Sequence, residues 1–229
     1  DGEHTLSGDL VTAITGHGNK IYAGTAAAGI DVFEHKGDKI IKRRNIPRIE
    51  INNGEASPEV MALLWGGDDD LWIGSATNSL TNYEGKGEFH NYVVHGFVFS
   101  LLQDDRGNIW FGTWGQGLGY VDKELGEMDV FNGNPSVSLG LSNDKVLSIY
   151  QDSRDLLWVG TKGGGVNVCG IDKVISRTGV FVDYKNEPGD PGSLSYNDVY
   201  DIHEDQRGNI WLATGSGLNK VLVPGEQSM

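Results

Sequence analysis

A five-residue segment recurs five times along the chain, and this repeat constrains the fold more than any other feature of the sequence. Each copy places an aromatic residue after an aliphatic one and ends in a small residue followed by a hydroxyl residue, as in Ile109 Trp110 Phe111 Gly112 Thr113. The aromatic residue stands at positions 22, 72, 110, 158 and 211, so successive copies lie 38 to 53 residues apart. Repeats of this length are typical of proteins that build one small supersecondary unit per copy.

Further strand signals flank each copy of the segment. An apolar run lies upstream, and the turn between the two is rich in Asp, Asn and Gly, residues that bond their own backbone or adopt positive φ in hairpins. A glycine-containing turn and a third run follow, as in 117–121 and 165–169. A fourth run is predicted at about 39–42, 88–92, 128–131 and 180–184. Four strands per copy are typical of one blade of a β-propeller.

The sequence therefore predicts an all-β fold, a β-propeller of about five four-stranded antiparallel blades. A single domain is expected over residues 1–229, with blades at about 9–45, 58–93, 97–133, 145–185 and 198–222. Leu6 Ser7 Gly8 Asp9 matches the connector Leu141 Ser142 Asn143 Asp144, so the chain is expected to begin between two blades. Two arrangements stay open: the N-terminal residues complete the last blade, or the five blades are part of a larger, seven-bladed propeller.

Composition narrows the range of functions. Thirty-two acidic residues against 18 basic ones give a net charge of −14, which suits neither nucleic acid nor an anionic membrane surface. A single cysteine, Cys169, excludes an intramolecular disulfide and cysteine-based zinc sites. The six histidines are scattered without ligand spacing, so no metal and no cofactor are expected. No run of 18 apolar residues occurs, so this segment is not expected to contact a membrane directly.

The repeat resembles that of a known family. The pattern that carries the resemblance is Leu141 Ser142 Asn143 Asp144, then Val146, Ile149 and Asp152, a turn, Leu157 Trp158 Val159 Gly160 Thr161, and Gly163 Gly164 Gly165 Val166. It is similar to the two-component regulator propeller repeat, over about residues 6–222. Three copies carry the Asp, the Trp and the Gly-Thr type of ending in register. Individual copies differ at single positions, with Tyr22 for Trp in the first, Ser75 for Thr in the second and Ala213 for Gly in the fifth.

The resemblance implies an extracytoplasmic ligand-sensing module, periplasmic or extracellular, of a two-component or hybrid signalling protein. In such proteins tandem propellers precede a short β-sandwich domain, a transmembrane helix and a cytoplasmic histidine kinase or diguanylate cyclase, and many respond to oligosaccharides. This segment is then not expected to be an enzyme. Its expected partners are an oligosaccharide or another small ligand, together with a second copy of itself or a neighbouring propeller.

The repeat also separates core residues from candidate binding residues. Trp72, Trp110, Trp158 and Trp211 recur at one strand position, so we interpret them as core residues between blades. Trp65 lies in a turn, where we interpret it as a packed turn residue or a contact to a neighbour. Ligand residues are expected instead where the repeat is broken, on the face shared by the turns after the second strands and the connectors between blades.

On that face, the residue after the Gly-Thr ending is small in most copies but is Trp114 in the third and Lys162 in the fourth. An exposed indole stacks on sugar rings, although packing under a neighbouring loop or contact with a partner protein would also account for Trp114. Lys162, His95, Asn143 and Asn197 offer hydrogen bonds to hydroxyl groups or to an acidic sugar. For the two asparagines, bonds to the local backbone are the alternative interpretation.

Two other classes of function stay open. Five-bladed propellers also house carbohydrate-active enzymes that use carboxylates near the axis, and the candidates here would be Asp144, Asp198, Asp201 and Glu204. The second class is a scaffold that docks proteins or dimerises. A convergent pair of carboxylates would favour the enzyme, an aromatic and polar pocket the sensor, and a flat apolar face the scaffold.

Overall fold

The computed structural model of the chain describes residues 5–46, 49–50, 56–57, 59–67, 70–84, 88–133 and 140–221. These residues form antiparallel β-sheets and one short helix. The chain divides into two compact units, Asp1–Ile109 and Trp110–Met229.

Two four-stranded sheets and a short ladder make up most of the first unit, and the strands of each sheet pair in chain order. The first sheet consists of β1 (Val11–His17), β2 (Lys20–Thr25), β3 (Ile30–Lys36) and β4 (Lys39–Ile46). The ladder pairs β5 (Ile49–Glu50) with β6 (Ala56–Ser57). The second sheet consists of β7 (Val60–Trp65), β8 (Leu71–Ser75), β9 (Ser79–Tyr83) and β10 (Phe89–Val93), and β11 (Val98–Gln103) follows it.

The second unit continues the same pattern of strands. β12 (Ile109–Thr113), β13 (Leu118–Val121) and β14 (Met128–Phe131) complete a sheet with the order β11-β12-β13-β14. The next sheet consists of β15 (Val146–Gln151), β16 (Leu156–Thr161), β17 (Val166–Gly170) and β18 (Val182–Tyr184), with the helix α1 (Ile171–Ile175) after β17. The last sheet has three strands in the described part of the chain, β19 (Val199–Glu204), β20 (Ile210–Thr214) and β21 (Gly217–Val221).

This architecture confirms the predicted all-β fold of four-stranded antiparallel blades. The five copies of the repeat lie on the second strands, β2, β8, β12, β16 and β20. The predicted fourth strands fall within about four residues of the observed ones, and β14 has the predicted bounds. That residues 1–229 form one domain, and how a ring of blades closes, stay predictions.

Among the regular elements of the described residues, the sequence predicts neither the β5–β6 ladder nor the helix α1. Its two buried residues, Ile171 and Val174, lie three positions apart on one helical face. A helix of five residues is too short to produce a readable helical period, so the pattern passes for a turn between two strands.

Three of the four repeated tryptophans lie in the core, as predicted for all four. Trp110 is fully buried, Trp72 and Trp158 are 4% exposed, and Trp211 is half-buried. Trp65 is the last residue of β7, and its ring stacks on Tyr22 and His17 at centroid distances of 5.4 and 5.1 Å. This packing agrees with the packed alternative, but Trp65 ends a strand instead of lying in a turn as predicted.

The Asp before the hairpin turn, which three copies of the repeat carry, has a structural role that explains its place there. In the fourth copy, Asp152 accepts hydrogen bonds from the backbone N–H groups of Arg154 and Leu156 at 2.9 and 3.0 Å, and from Trp158 Nε1 at 2.9 Å. One carboxylate thus fixes both the turn and the core tryptophan.

The fifth copy repeats this arrangement around Asp205. The side chain of Asp205 accepts hydrogen bonds from Trp211 Nε1 at 2.9 Å and from the Arg207 and Asn209 N–H groups. The bond from Trp211, supported by those from Asn209 and Arg207, lowers the pKa of the Asp205 carboxyl below its usual range. This carboxylate is therefore held in its charged form by the turn that it closes.

A second repeated contact joins three of the connectors to their own blades. The N–H and Oγ of Ser142 pair with the side-chain amide of Asn167 on β17, with both distances 2.8 Å. Ser195 pairs with Asn219 on β21 in the same way, at 2.9 and 2.8 Å. In the first blade Ser7 donates both groups to Asp31 on β3, at 2.6 and 2.8 Å. These hydrogen bonds explain the serine of the Leu-Ser element in the connectors.

In the third blade, a different residue lies at the position that Asn167 has in the fourth blade. β13 carries Gly119 where β17 carries Asn167, and a Cβ at Gly119 would lie only 2.1 Å from Cζ of Phe111. In the fourth blade the residue opposite Asn167 is Val159, which is much smaller than phenylalanine. Phe111 thus occupies the space that an asparagine side chain takes in the fourth blade.

The paired sizes of these residues, a small one beside a large one in each blade, lead to a testable prediction. Gly119→Asn is expected to destabilise the chain by about 3 kcal/mol or more through overpacking against Phe111. Phe111→Val alone is expected to cost about 2 kcal/mol through the cavity that it leaves. In the double variant the two changes compensate, so its loss falls short of the sum by about 1 kcal/mol or more, measured by urea unfolding. Additive losses would contradict the interpretation.

Candidate ligand-binding site

In the second unit, backbone hydrogen bonds bring two turns and one connector together. The N–H groups of Gly115 and Gly117, in the turn after β12, donate to the carbonyl of Asp144 at 3.0 and 2.9 Å. Trp114 forms an isolated β-bridge with Lys145. The N–H of Lys162, in the turn after β16, donates to the carbonyl of Lys145 at 2.9 Å. Lys145 therefore lies between the two residues that follow the Gly-Thr endings.

The side chains of these three residues form a group that we call the cation–indole cluster: Trp114, Lys145 and Lys162. The Nζ atoms of Lys145 and Lys162 lie over the Trp114 ring, 5.1 and 5.0 Å from its centroid. Both distances are within the usual range of cation–π contacts. The indole is half-buried and both lysines are exposed. In the described part of the chain, neither ammonium group forms an ion pair with a carboxylate.

All three positions of the cluster depart from the repeat. Trp114 and Lys162 have small equivalents in the other copies, Ala26, Ala76 and Gly215. The equivalents of Lys145 are identified by the same backbone bond: Ala26 N–H donates to the Leu10 carbonyl, and Gly215 N–H to the Asp198 carbonyl, both at 3.0 Å. Residues that hold the fold recur from blade to blade, so a cluster made only of non-recurring residues is a candidate for a specific function.

The structure brings together two of the five predicted binding residues, Trp114 and Lys162. Asn143 instead accepts a hydrogen bond from the Lys145 N–H at 2.9 Å, and Asn197 accepts one from the Asn186 N–H at 2.7 Å. Both asparagines thus make the local backbone bonds that the sequence analysis gave as the alternative. His95 is exposed in a bend between β10 and β11 of the first unit. A role of these residues in ligand binding stays a prediction.

Lys145 is the member of the cluster that the sequence analysis missed. Its side chain belongs to a connector whose copies share Leu, Ser and Asp, whereas the substitutions that stand out in the sequence follow the Gly-Thr ending. A comparison of the three Leu-Ser connectors at the residue before the first strand would have found it, because that residue is Leu10, Lys145 or Asp198.

The carboxylates proposed for an enzyme accept hydrogen bonds from nearby groups. Asp144 accepts a bond from the N–H of Gly133, and Asp201 from the N–H of the next residue. Glu204 accepts bonds from the N–H and Oγ of Ser153 at 2.7 and 2.6 Å. The carboxylate of Asp198 lies 3.4 Å from the Tyr200 hydroxyl. Asp144 and Glu204 serve turn and connector geometry, which gives the enzyme interpretation little support.

In the first unit, one group of potential metal ligands forms across the β9–β10 hairpin. Ligand atoms of Glu84, Glu88 and His90 lie within 4.8 Å of one another, and His90 Nε2 is 3.1 Å from Glu84 Oε1. The hairpin brings these residues together although their sequence spacing matches no metal motif. All three are exposed, and the absence of a metal site stays a prediction.

The cluster lies within segments that a family comparison recognises. The sequence model of the two-component regulator propeller matches residues 92–115, 140–163 and 193–216. These three segments are similar to two-component regulator propeller repeats. Trp114 falls in the first matched repeat, and Lys145 and Lys162 fall in the second. A comparison with curated protein sequences gives no match.

Solved structures that contain similar propellers agree with this fold. The extracellular domains of two putative hybrid two-component systems from B. thetaiotaomicron match 92% and 94% of the chain, with TM-scores of 0.72 and 0.73 and identities of 23% and 22%. The chain spans 27% of the length of each. A streptogramin B lyase structure matches 98% of the chain and 72% of its own length, with a TM-score of 0.65 and 15% identity. At these identities the likeness establishes the propeller fold.

Among the residues that the structure describes, no helix has both the length and the apolar character needed to cross a membrane.

Proposed function

We propose that the chain is part of the extracytoplasmic sensing region of a two-component or hybrid signalling protein, where it binds an oligosaccharide or another small ligand without transforming it. The observation that carries this proposal is the cation–indole cluster, which combines the repeat-breaking residues Trp114, Lys145 and Lys162 in the turns and connector of the second unit. The matched two-component regulator repeats and the extracellular origin of the two similar B. thetaiotaomicron structures support the signalling context.

The chemistry of the cluster suits recognition of a polar ligand. Two ammonium groups offer up to six N–H donors beside one indole, and such a combination binds hydroxyl and anionic groups. Because both lysines are exposed while backbone hydrogen bonds fix the segments that carry them, the groups are accessible without rearrangement of the turns.

A docking scaffold is the second candidate, and one observation favours it. On the outer strand β18, Val182 and Tyr184 are 55% and 50% exposed, and Val180 just before the strand is 63% exposed. Exposed apolar residues along a strand are typical of protein contacts. Oligomeric state therefore needs to be measured beside ligand binding.

A thermal-shift screen against a panel of oligosaccharides tests the sensing proposal. A ligand present at about 100 times its Kd is expected to raise the Tm by about 5 to 10 °C, because it binds only the folded state. Trp114→Ala is expected to abolish this rise. The matched control is Tyr184→Ala, which removes an exposed aromatic residue from β18 and is expected to keep it. A cooperative transition that no member of the panel shifts, or a full shift in Trp114→Ala, would contradict the proposal.

A further inference from the structure

We propose that the ligand carries an anionic group, a carboxylate or a sulfate ester on a saccharide, and that Lys145 and Lys162 bind this group together. That the ligand is a saccharide rests on the proposed function. That it carries a negative charge rests on the cation–indole cluster. It assigns Trp114 the role of a positioning residue that holds the two ammonium groups, in place of the stacking platform for a sugar ring that the sequence alone suggested.

The two cations lie close to each other at one aromatic ring. Each Nζ lies about 5 Å from the same ring centroid, so the two ammonium groups are no more than about 10 Å apart. Like charges at such distances repel each other, and the exposed position reduces the repulsion without removing it. A bound anion between them converts this repulsion into two favourable contacts.

The charge balance of the chain makes unpaired lysines unusual. Acidic residues outnumber basic ones by 32 to 18, so lysines have many carboxylates available as partners. Lys42 and Lys185, for example, pair with Asp31 and Asp183, both at 2.7 Å. Lys145 and Lys162 form no such pair within the described ranges, although their two positive charges lie close together. Their charges therefore remain available to a group that comes from outside the chain.

The ring of Trp114 is already in contact with cations. A neutral sugar stacks on an indole face, and the ammonium groups of Lys145 and Lys162 compete for this half-buried ring. An anion needs no ring face, because ammonium N–H groups can donate to its oxygens while their cation–π contacts with the ring persist. The arrangement therefore favours an acidic saccharide over a neutral one of the same size.

A pair of matched ligands separates charge from shape. Trigalacturonate carries three carboxylates, and its fully methyl-esterified form has the same sugar skeleton without the charges. Isothermal titration calorimetry of the 229-residue chain is expected to show binding of the acid at least about tenfold tighter than that of the ester, with affinity falling as salt rises. In a second comparison, the binding of galactose 6-sulfate is measured against that of galactose. This comparison shows whether the anionic group that binds is a sulfate ester or a carboxylate.

Variants then connect the preference to the lysines. The double variant Lys145→Gln/Lys162→Gln is expected to bind the preferred acidic ligand about tenfold more weakly or worse, whereas Lys145→Arg/Lys162→Arg retains most of the affinity. Lys220→Gln is the matched control, because the Lys220 Nζ also lies over an indole, 5.6 Å from the Trp211 centroid. Unchanged Tm values of the unliganded variants exclude a loss of folding.

The possible results separate this inference from the proposed function. Tighter binding of either acidic ligand that the double Gln variant loses and the Lys220→Gln variant keeps supports both. Equal binding of acid and ester, or of the wild type and the double Gln variant, overturns the anionic preference and leaves saccharide sensing intact. If no acidic or neutral saccharide binds at all, the inference and the proposed function both fail.

Discussion

Replacing Asp152 with alanine is expected to destabilise the chain by about 3 to 5 kcal/mol, because the change leaves the buried Trp158 Nε1 and two partly buried backbone N–H groups without an acceptor. Asp152 is 2% exposed and accepts hydrogen bonds from the turn N–H groups of Arg154 and Leu156 and from Nε1 of the core residue Trp158. The guanidinium of Arg154 adds an ion pair at 2.6 Å. Urea unfolding of the variant and the wild type measures the loss.

A matched control distinguishes this buried network from an ordinary surface charge. Asp183 on β18 forms an ion pair with Lys185 at 2.7 Å, but both side chains are at least 40% exposed. Asp183→Ala is expected to change the free energy of unfolding by about 0.5 kcal/mol or less. A loss of that small size in Asp152→Ala would refute the assignment of this Asp as the residue that joins turn and core.

Replacing Asp31 with alanine is expected to cost a similar amount, about 3 to 5 kcal/mol. The Asp31 side chain is fully buried and accepts bonds from Ser7, from Lys42 Nζ at 2.7 Å and from Asn45 Nδ2 at 2.8 Å. Burial by itself raises the pKa of Asp31, but the hydrogen bonds from Lys42, Ser7 and Asn45 outweigh it and leave the pKa lowered. The charged carboxylate is thus the form that the native state stabilises.

This lowered pKa gives the prediction a pH dependence with a defined sign. A carboxyl whose pKa is lower in the folded state stabilises the fold above its unfolded pKa of about 3.9 and loses this contribution as pH falls through the lowered value. The difference in stability between the wild type and Asp31→Ala should therefore be constant near neutral pH and shrink in acid. Asp38→Ala, an exposed turn residue of the same blade, is the control and should show neither effect.

The sequence predicts the elements that recur, because each recurring residue has one local task. Asp152 and Asp205 close their turns with their own side chains, and the N–H groups that they bind lie two and four residues away. Such local chemistry is visible in a linear pattern, so strand order and most strand bounds follow from it. The pairing of Ser142 with Asn167 spans 25 residues and is not visible in the same way.

The candidate site is predicted less completely, for two physical reasons. Trp114 and Lys162 stand out as substitutions in a repeat, but the neighbour that joins them, Lys145, is 31 positions from the first and 17 from the second and becomes adjacent only through sheet pairing. Asn143 and Asn197 have the residue types of a binding site, but their side-chain oxygens accept hydrogen bonds from the N–H groups of Lys145 and Asn186. Residue type alone does not decide which partner a short polar side chain takes.

The most direct test of the account follows all six tryptophans of the chain at once. In a nitrogen–proton correlation spectrum each indole N–H gives one signal, and Trp114→Phe identifies the signal of Trp114. The chain is titrated with each oligosaccharide of the panel, neutral and acidic. The account predicts that the Trp114 signal shifts with the largest amplitude while the signals of the buried residues Trp72, Trp110 and Trp158 stay in place. Shifts confined to other indoles, or no shift with any oligosaccharide, would contradict a binding site at the cation–indole cluster.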